Sequence, residues 1–257
     1  MTRLLVTLLL MAAFMLTTSN AAEPILEARV FKPEGSEKSL KYRILVPKIE
    51  ADERLPVILC LHGAGERGDD NAKHLGYFVP MWSGENATKY RAIFVVPQAP
   101  NDQLWASYGW STKFNNDMQP EPSQSMQLVR QLVDRLIKEL PIDANRVYVT
   151  GLSMGGYGTW EFAQRYPELV AAAAPVCGGG DPSLADRIKH VPVWAFHGAK
   201  DGVVKLEASE VAIEALKKAG AEPKFTVYPN VGHDSWNPAY RDSDLMKWLF
   251  EQRRKSP

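Results

Sequence analysis

The stretch Thr150-Gly-Leu-Ser-Met-Gly-Gly156 sets a serine between glycines where an apolar run gives way to a helical pattern. A serine hydroxyl is a weak nucleophile until a neighbouring base takes its proton. Gly-x-Ser-x-Gly holds such a serine on a tight strand-to-helix turn whose flanking positions must be small. The start of the following helix favours negative charge developing beside it. Short patterns of this kind also arise by chance, so the placement carries the weight: Val147-Tyr-Val149 precedes Ser153, and an Ala/Tyr/Trp/Phe-rich helical stretch follows. The chemistry implied is acyl transfer through Ser153.

That chemistry needs a base, an acid to orient it and donors for an oxyanion. In this architecture the base comes last in the chain, after the acid. Of the five histidines only His233 follows Pro229, in the loop Pro229-Asn-Val-Gly-His-Asp-Ser-Trp236. His62 and His197 each precede a glycine at a strand end, where a histidine more often supports loop backbone; His74 and His190 read as packing or surface residues. Asp201 follows a predicted strand between Ser153 and His233, so it is the candidate to fix the imidazole tautomer and stabilise the imidazolium. Asp181, one strand earlier, competes with it; Asp234 adjoins the histidine too closely in sequence to face it well. The amide of the residue after the nucleophile, Met154, is one candidate oxyanion donor, and the loop His62-Gly-Ala-Gly65 supplies another, Ala64 ahead of Gly65.

The elements needed to hold these groups are legible in the hydrophobic pattern. Residues 26–32 and 40–47 alternate like exposed-edge antiparallel strands. Residues 55–61 form a continuous apolar run, as in a strand buried on both faces, and 92–96, 146–150, 171–176, 191–196 and 224–228 repeat it. Between them, 125–140, 154–166, 207–219 and 243–253 carry helical spacing. This alternation predicts an α/β fold with a mostly parallel central sheet of about eight strands flanked by helices, with its ligand site at the carboxyl ends of the strands. Residues 66–90 and 98–124 lack a clear period and follow strand ends, so they are expected to wall the site.

Composition removes other classes. Lys+Arg and Asp+Glu number 30 each in 257 residues, with no basic run, so the electrostatic footprint for nucleic acid is missing. Two cysteines exclude a disulfide scaffold or a Cys-rich zinc module, and His-Glu-x-x-His is absent, so no metal site is predicted. In the strand order usual for such a fold, the serine-bearing strand lies between the strands of Cys60 and Cys177, which are then two strand spacings apart and too far for a disulfide. Residues 1–22 combine one Arg, an apolar run and a small-residue end, as a secretory signal peptide does. The expected organisation is therefore a signal peptide over 1–22 and one catalytic domain over 23–257, exported to the periplasm or beyond and not inserted in a membrane after cleavage.

With Ser153, Asp201 and His233 in that chain order, the sequence resembles the α/β-hydrolase superfamily. Leu61-His-Gly-Ala-Gly-Glu-Arg-Gly-Asp-Asp70, Gly151-Leu-Ser-Met-Gly-Gly-Tyr-Gly158 and Gly232-His-Asp-Ser-Trp236 resemble a narrower group. These are the bacterial exported esterases related to polyhydroxybutyrate depolymerases, feruloyl esterases and phospholipase/carboxylesterases, often labelled predicted peptidases. The resemblance implies a cofactor-free serine esterase without a large cap domain, acting on a small-molecule or oligomeric ester. No polymer-binding module accompanies the domain, which argues against attack on insoluble polyester or plant wall. Trp105, Tyr108, Trp110 and Phe114 cluster in one loop, and Trp236 follows His233 by three. Trp110, Trp236 and His62 are the candidate substrate contacts, in the apolar manner usual for such sites; anchoring of the loop is the competing role for each aromatic residue. Two further readings stay open: a serine peptidase of prolyl-oligopeptidase-like type using the same triad, and a non-catalytic binding protein that keeps the fold.

Overall fold

A strand buried on both faces sends alternate side chains into two separate cores. Leu55-Pro-Val-Ile-Leu-Cys-Leu61 does this: Leu55, Val57, Leu59 and Leu61 enter one cluster, Ile58 and Cys60 the other. In the computed structural model, which describes residues 26–108 and 117–254, this segment is the third of eight strands in one sheet. The strands are β1 (Glu27–Phe31), β2 (Leu40–Leu45), β3 (Leu55–Leu61), β4 (Ile93–Gln98), β5 (Ile142–Leu152), β6 (Ala172–Val176), β7 (Trp194–Gly198) and β8 (Lys224–Tyr228). Their order across the sheet is β1-β2-β4-β3-β5-β6-β7-β8. β2 runs antiparallel to both β1 and β4, and every pairing from β4 to β8 is parallel. The mostly parallel α/β sheet expected from the pattern is thus present.

The helices are α1 (Val79–Trp82), α2 (Glu85–Lys89), α3 (Gln124–Glu139), α4 (Met154–Arg165), α5 (Ala185–Ile188), α6 (Glu207–Lys218), α7 (Trp236–Arg241) and α8 (Ser243–Glu251). Helices α3 to α6 bury their apolar stripes in the same cluster as Leu59 and Leu61. On the opposite face α1, α7 and α8 pack over Ile58 and Cys60. In α3 the stripe is Met126, Val129, Leu132, Val133 and Leu136, and Ser123 caps the first turn by accepting from the Met126 amide at 3.1 Å.

The chain leaves β3 toward β4 on one side and returns to form β5 on the other. A parallel sheet opens a crevice at such a switch point, at the carboxyl ends of the strands. Here those ends carry the loop after Leu61 and the turn at Ser153. Cys60 lies in β3 and Cys177 follows β6, with β5 between them, and both thiols are free and buried as expected.

Three differences from the sequence reading have physical causes. Residues 66–90 hold three short helical segments, Gly76–Phe78, α1 and α2, each too short to show a period. α7 occupies the end of the expected loop after His233, and its Pro238 obscures a helical signal of only 6 residues. β5 begins earlier than expected, because Leu55 pairs with Ile142 before a register break beside Pro56, which cannot donate to the ladder. The predicted signal peptide lies outside the described residues.

Candidate active site

Ser153 is fixed by two tight approaches of backbone to backbone. A Cβ on Gly155 would lie 1.8 Å from the Leu61 carbonyl oxygen, and one on Gly151 would lie 2.3 Å from the Gly155 carbonyl oxygen. With both glycines in place, β5 can pass straight into α4 against the end of β3. Ser153 sits at the corner with φ 54° and ψ −115°, a conformation that costs a non-glycine residue about 1–3 kcal/mol. Its amide donates to the Val176 carbonyl at 3.0 Å, and its carbonyl accepts the first bond of α4, from Tyr157, at 3.1 Å. The Met154 amide therefore has no intrahelical acceptor.

The three candidate catalytic side chains meet. His233 Nε2 lies 2.9 Å from Ser153 Oγ, and His233 Nδ1 lies 2.8 Å from Asp201 Oδ2. The other carboxylate oxygen, Oδ1, accepts from the amides of Val203 and Val204, each at 2.9 Å. Burial alone would raise the Asp201 carboxyl. Hydrogen bonds from His197, His233 and the Val203 and Val204 amides outweigh that and hold it well below the usual carboxylate range. Because Asp201 keeps its charge, His233 Nδ1 must donate to it, which leaves Nε2 free to accept from the serine hydroxyl. The competing carboxylates are engaged elsewhere. Asp181 caps the Pro182–Leu184 turn and accepts from the Met118 amide at 2.9 Å. Asp234 accepts from Asn237 Nδ2 at 3.3 Å.

The cavity beside this chain measures about 250 Å³. Gly63, Ala64 and Gly65 line it together with Ser153 and His233, so the proposed oxyanion loop and the nucleophile share one space. Ala64 opens a single 3-10 turn, Ala64–Glu66, after Gly63 in extended conformation. Trp236 forms another wall, its ring 5.2 Å from that of His233 and 5.3 Å from that of Tyr77. Leu152, Tyr77, Val203 and Val204 complete an apolar lining that the sequence reading did not single out. Glu66 also lines the cavity; burial raises its carboxyl, opposed by bonds from the Gly63 amide and its own.

His62 is not a substrate contact. The side chain is fully buried, its Nε2 accepts from the Ala99 amide at 3.0 Å and its Nδ1 donates to the Gly63 carbonyl at 2.6 Å. It is a backbone support beneath the loop that carries Ala64. Trp105 is likewise buried and donates through Nε1 to the His62 carbonyl, while the Tyr108 hydroxyl reaches the Tyr157 and Gly179 carbonyls. Both anchor their loop. Trp110 lies outside the described residues.

Burial holds His62 down to about 3 and His74 down to about 4. Both stay neutral in the folded protein as pH falls, whereas in the unfolded chain they take up protons from about pH 6.5. Stability is therefore expected to fall as pH drops from about 6.5 toward 4, by about 1.4 kcal/mol per pH unit for each histidine. Urea unfolding midpoints measured across that range check this, and His74→Gln should flatten the slope.

Among the described residues, Cys177, Asp201 and His233 also bring a thiol, a carboxylate oxygen and a ring nitrogen within 4.8 Å of one another. Burial pushes the Cys177 thiol up to about 12, so it keeps its proton, and the other two groups are bonded to each other.

A serine on a strand-to-helix corner, bonded to a histidine that is bonded to a buried aspartate on a mostly parallel sheet, defines an α/β-hydrolase. Residues 46–244 match the phospholipase/carboxylesterase family, and the chain belongs to it, among the carboxylic ester hydrolases. Carboxylesterase SOBER1 of Arabidopsis thaliana is 26% identical over 199 residues, covering 70% of this chain and 84% of that protein. The crystal structure of a thermostable esterase superposes with a TM-score of 0.80 at 36% identity, covering 89% of this chain and 63% of that one. An uncharacterised secreted protein of Arthroderma benhamiae is 27% identical over 240 residues, which are 79% of this chain and 24% of that protein.

Proposed function

We propose that the protein hydrolyses carboxylic esters through an acyl-enzyme on Ser153. One observation supports this above all: the unbroken chain from Ser153 Oγ through His233 to Asp201, at 2.9 and 2.8 Å, opening on an apolar cavity. In the cycle Ser153 Oγ attacks the ester carbonyl while His233 Nε2 takes its proton. Asp201 stabilises the imidazolium that forms. The amides of Met154 and Ala64 hold the oxyanion, with Gly65 as the alternative to Ala64. Collapse expels the alcohol with the proton from His233, and water then releases the acid by the same steps. Every proton and electron pair comes from these groups, the ester and water, so the cycle calls on no cofactor.

Ala64 allows a direct test of the oxyanion donors. It is the first residue of its turn, where proline is tolerated, and Gly63 before it has φ −76° and ψ 177°, an extended conformation compatible with a following proline. Ala64→Pro should therefore fold, yet lose one N–H and about 2.7–4 kcal/mol of transition-state stabilisation, seen as a fall in kcat. An unchanged kcat would move that role to Gly65.

The amide reading is separated from the ester reading by rates on an aryl ester and the matched anilide. Strong preference for the ester is expected; equal kcat/KM on the anilide would make the protein a peptidase. We also read residues 1–22 as an export signal, which would carry the enzyme to the periplasm or outside the cell to meet small or oligomeric esters. Among the described residues no helix is long and apolar enough to cross a membrane.

A further inference from the structure

Asp201 meets a second imidazole that the cycle above does not use. His197, in β7, is fully buried, and its Nε2 lies 3.3 Å from Asp201 Oδ2 and 3.0 Å from the Val204 carbonyl oxygen. Its Nδ1 lies 2.7 Å from Ser209 Oγ on α6, and that oxygen lies 2.8 Å from the Gly178 carbonyl oxygen. A carbonyl or a carboxylate only accepts. Nε2 faces one of each, so it must carry a hydrogen. The Gly178 carbonyl also only accepts, so the single Ser209 hydroxyl proton belongs to that bond, and Ser209 Oγ must accept from Nδ1.

Neither neutral form of the ring meets these demands. With hydrogen on Nδ1 alone, the bare Nε2 points at the Val204 carbonyl and the Asp201 carboxylate. With hydrogen on Nε2 alone, either Nδ1 and Ser209 Oγ, or Ser209 Oγ and the Gly178 carbonyl, face each other with no proton between. Buried groups left in that way are costly. Protons on both ring nitrogens satisfy every contact at once.

We propose that His197 is an imidazolium in the folded enzyme and acts as a positioning residue for the reaction. It is a fixed cation that shares Asp201 Oδ2 with His233. The Val203 and Val204 amides hold the other oxygen, so the carboxylate cannot rotate away from His233. The cation also offsets part of the attraction Asp201 exerts on a protonated His233. Among the described residues, Cys177 and Tyr157, both kept neutral by burial, and the exposed Asp234 also lie near this pair.

The effect on rate rests on the esterase reading; the proton count does not, and the experiment separates the two. Long-range proton–nitrogen correlation spectra of the histidine rings, recorded on 15N-labelled wild-type protein with Ser209→Ala to assign His197, should show both His197 nitrogens protonated. One bare nitrogen would overturn the proposal. In kinetics, His197→Gln should lower kcat about 10–100-fold with KM held within about twofold. It should also move the acidic limb of the kcat profile to higher pH; an unmoved limb would remove the role assigned to the charge. If His197→Gln does not fold, the wild-type spectra decide. Failure of wild-type Ser153 to react with a fluorophosphonate would defeat the esterase reading and leave the spectra intact as a test of His197.

Discussion

Ser153→Ala is expected to lower kcat by about 10⁶-fold, to the level that binding and oxyanion stabilisation alone can sustain. The variant loses the attacking oxygen and, with it, the acceptor and donor partner of His233 Nε2. Folding should survive. The hydroxyl makes one side-chain bond, to His233, and the strain at φ 54° is set by the backbone and is the same for alanine. Far-ultraviolet dichroism and a thermal melt matching the wild type, beside ester hydrolysis reduced to the detection limit, are the signature. Retention of even a tenth of the wild-type rate by a folded Ser153→Ala protein would be incompatible with a Ser153 acyl-enzyme.

Asp201→Asn should cost about 10⁴-fold in kcat. The direction follows from the hydrogen bonds. Two amides, Val203 and Val204, donate to Oδ1, so an asparagine must put its carbonyl oxygen there. Its NH₂ then falls where Oδ2 faced His233 Nδ1 at 2.8 Å. A donor in that place turns Nδ1 into an acceptor and moves the ring hydrogen to Nε2, where it points at Ser153 and can no longer take the hydroxyl proton. Single-turnover rates on an activated ester measure the loss, and KM should change far less than kcat.

The parts of this site that the sequence revealed are those tied to strand ends. Ser153, Asp201 and His233 each follow an apolar run, and the order of such runs fixes which loops share the rim of a parallel sheet. The β3–β5 switch is what turns that order into contact, because it brings the Ala64 loop and the Ser153 corner to adjacent strands. The cavity walls were hidden for the opposite reason. Tyr77 sits in a 3-10 segment of 3 residues, and Val203 and Val204 fall in a loop, so no period marks them. Residue type misled at His62, since an imidazole beside a glycine loop can face a ligand or the backbone, and only the Ala99 and Gly63 contacts tell which. Trp105 and Tyr108 show the same ambiguity for loop aromatics, resolved toward anchoring by their burial. His197 carried a usable signal: it stands at a strand end, four residues before the candidate acid.

Reaction of the native protein with a fluorophosphonate, read by intact mass and peptide mapping, tests most directly whether Ser153 is made reactive by His233. A single phosphonyl group on the Ser153 peptide is predicted, formed far more slowly when His233 is replaced by alanine. A folded wild-type protein that takes up no label, or that takes it up on another residue, would contradict the account.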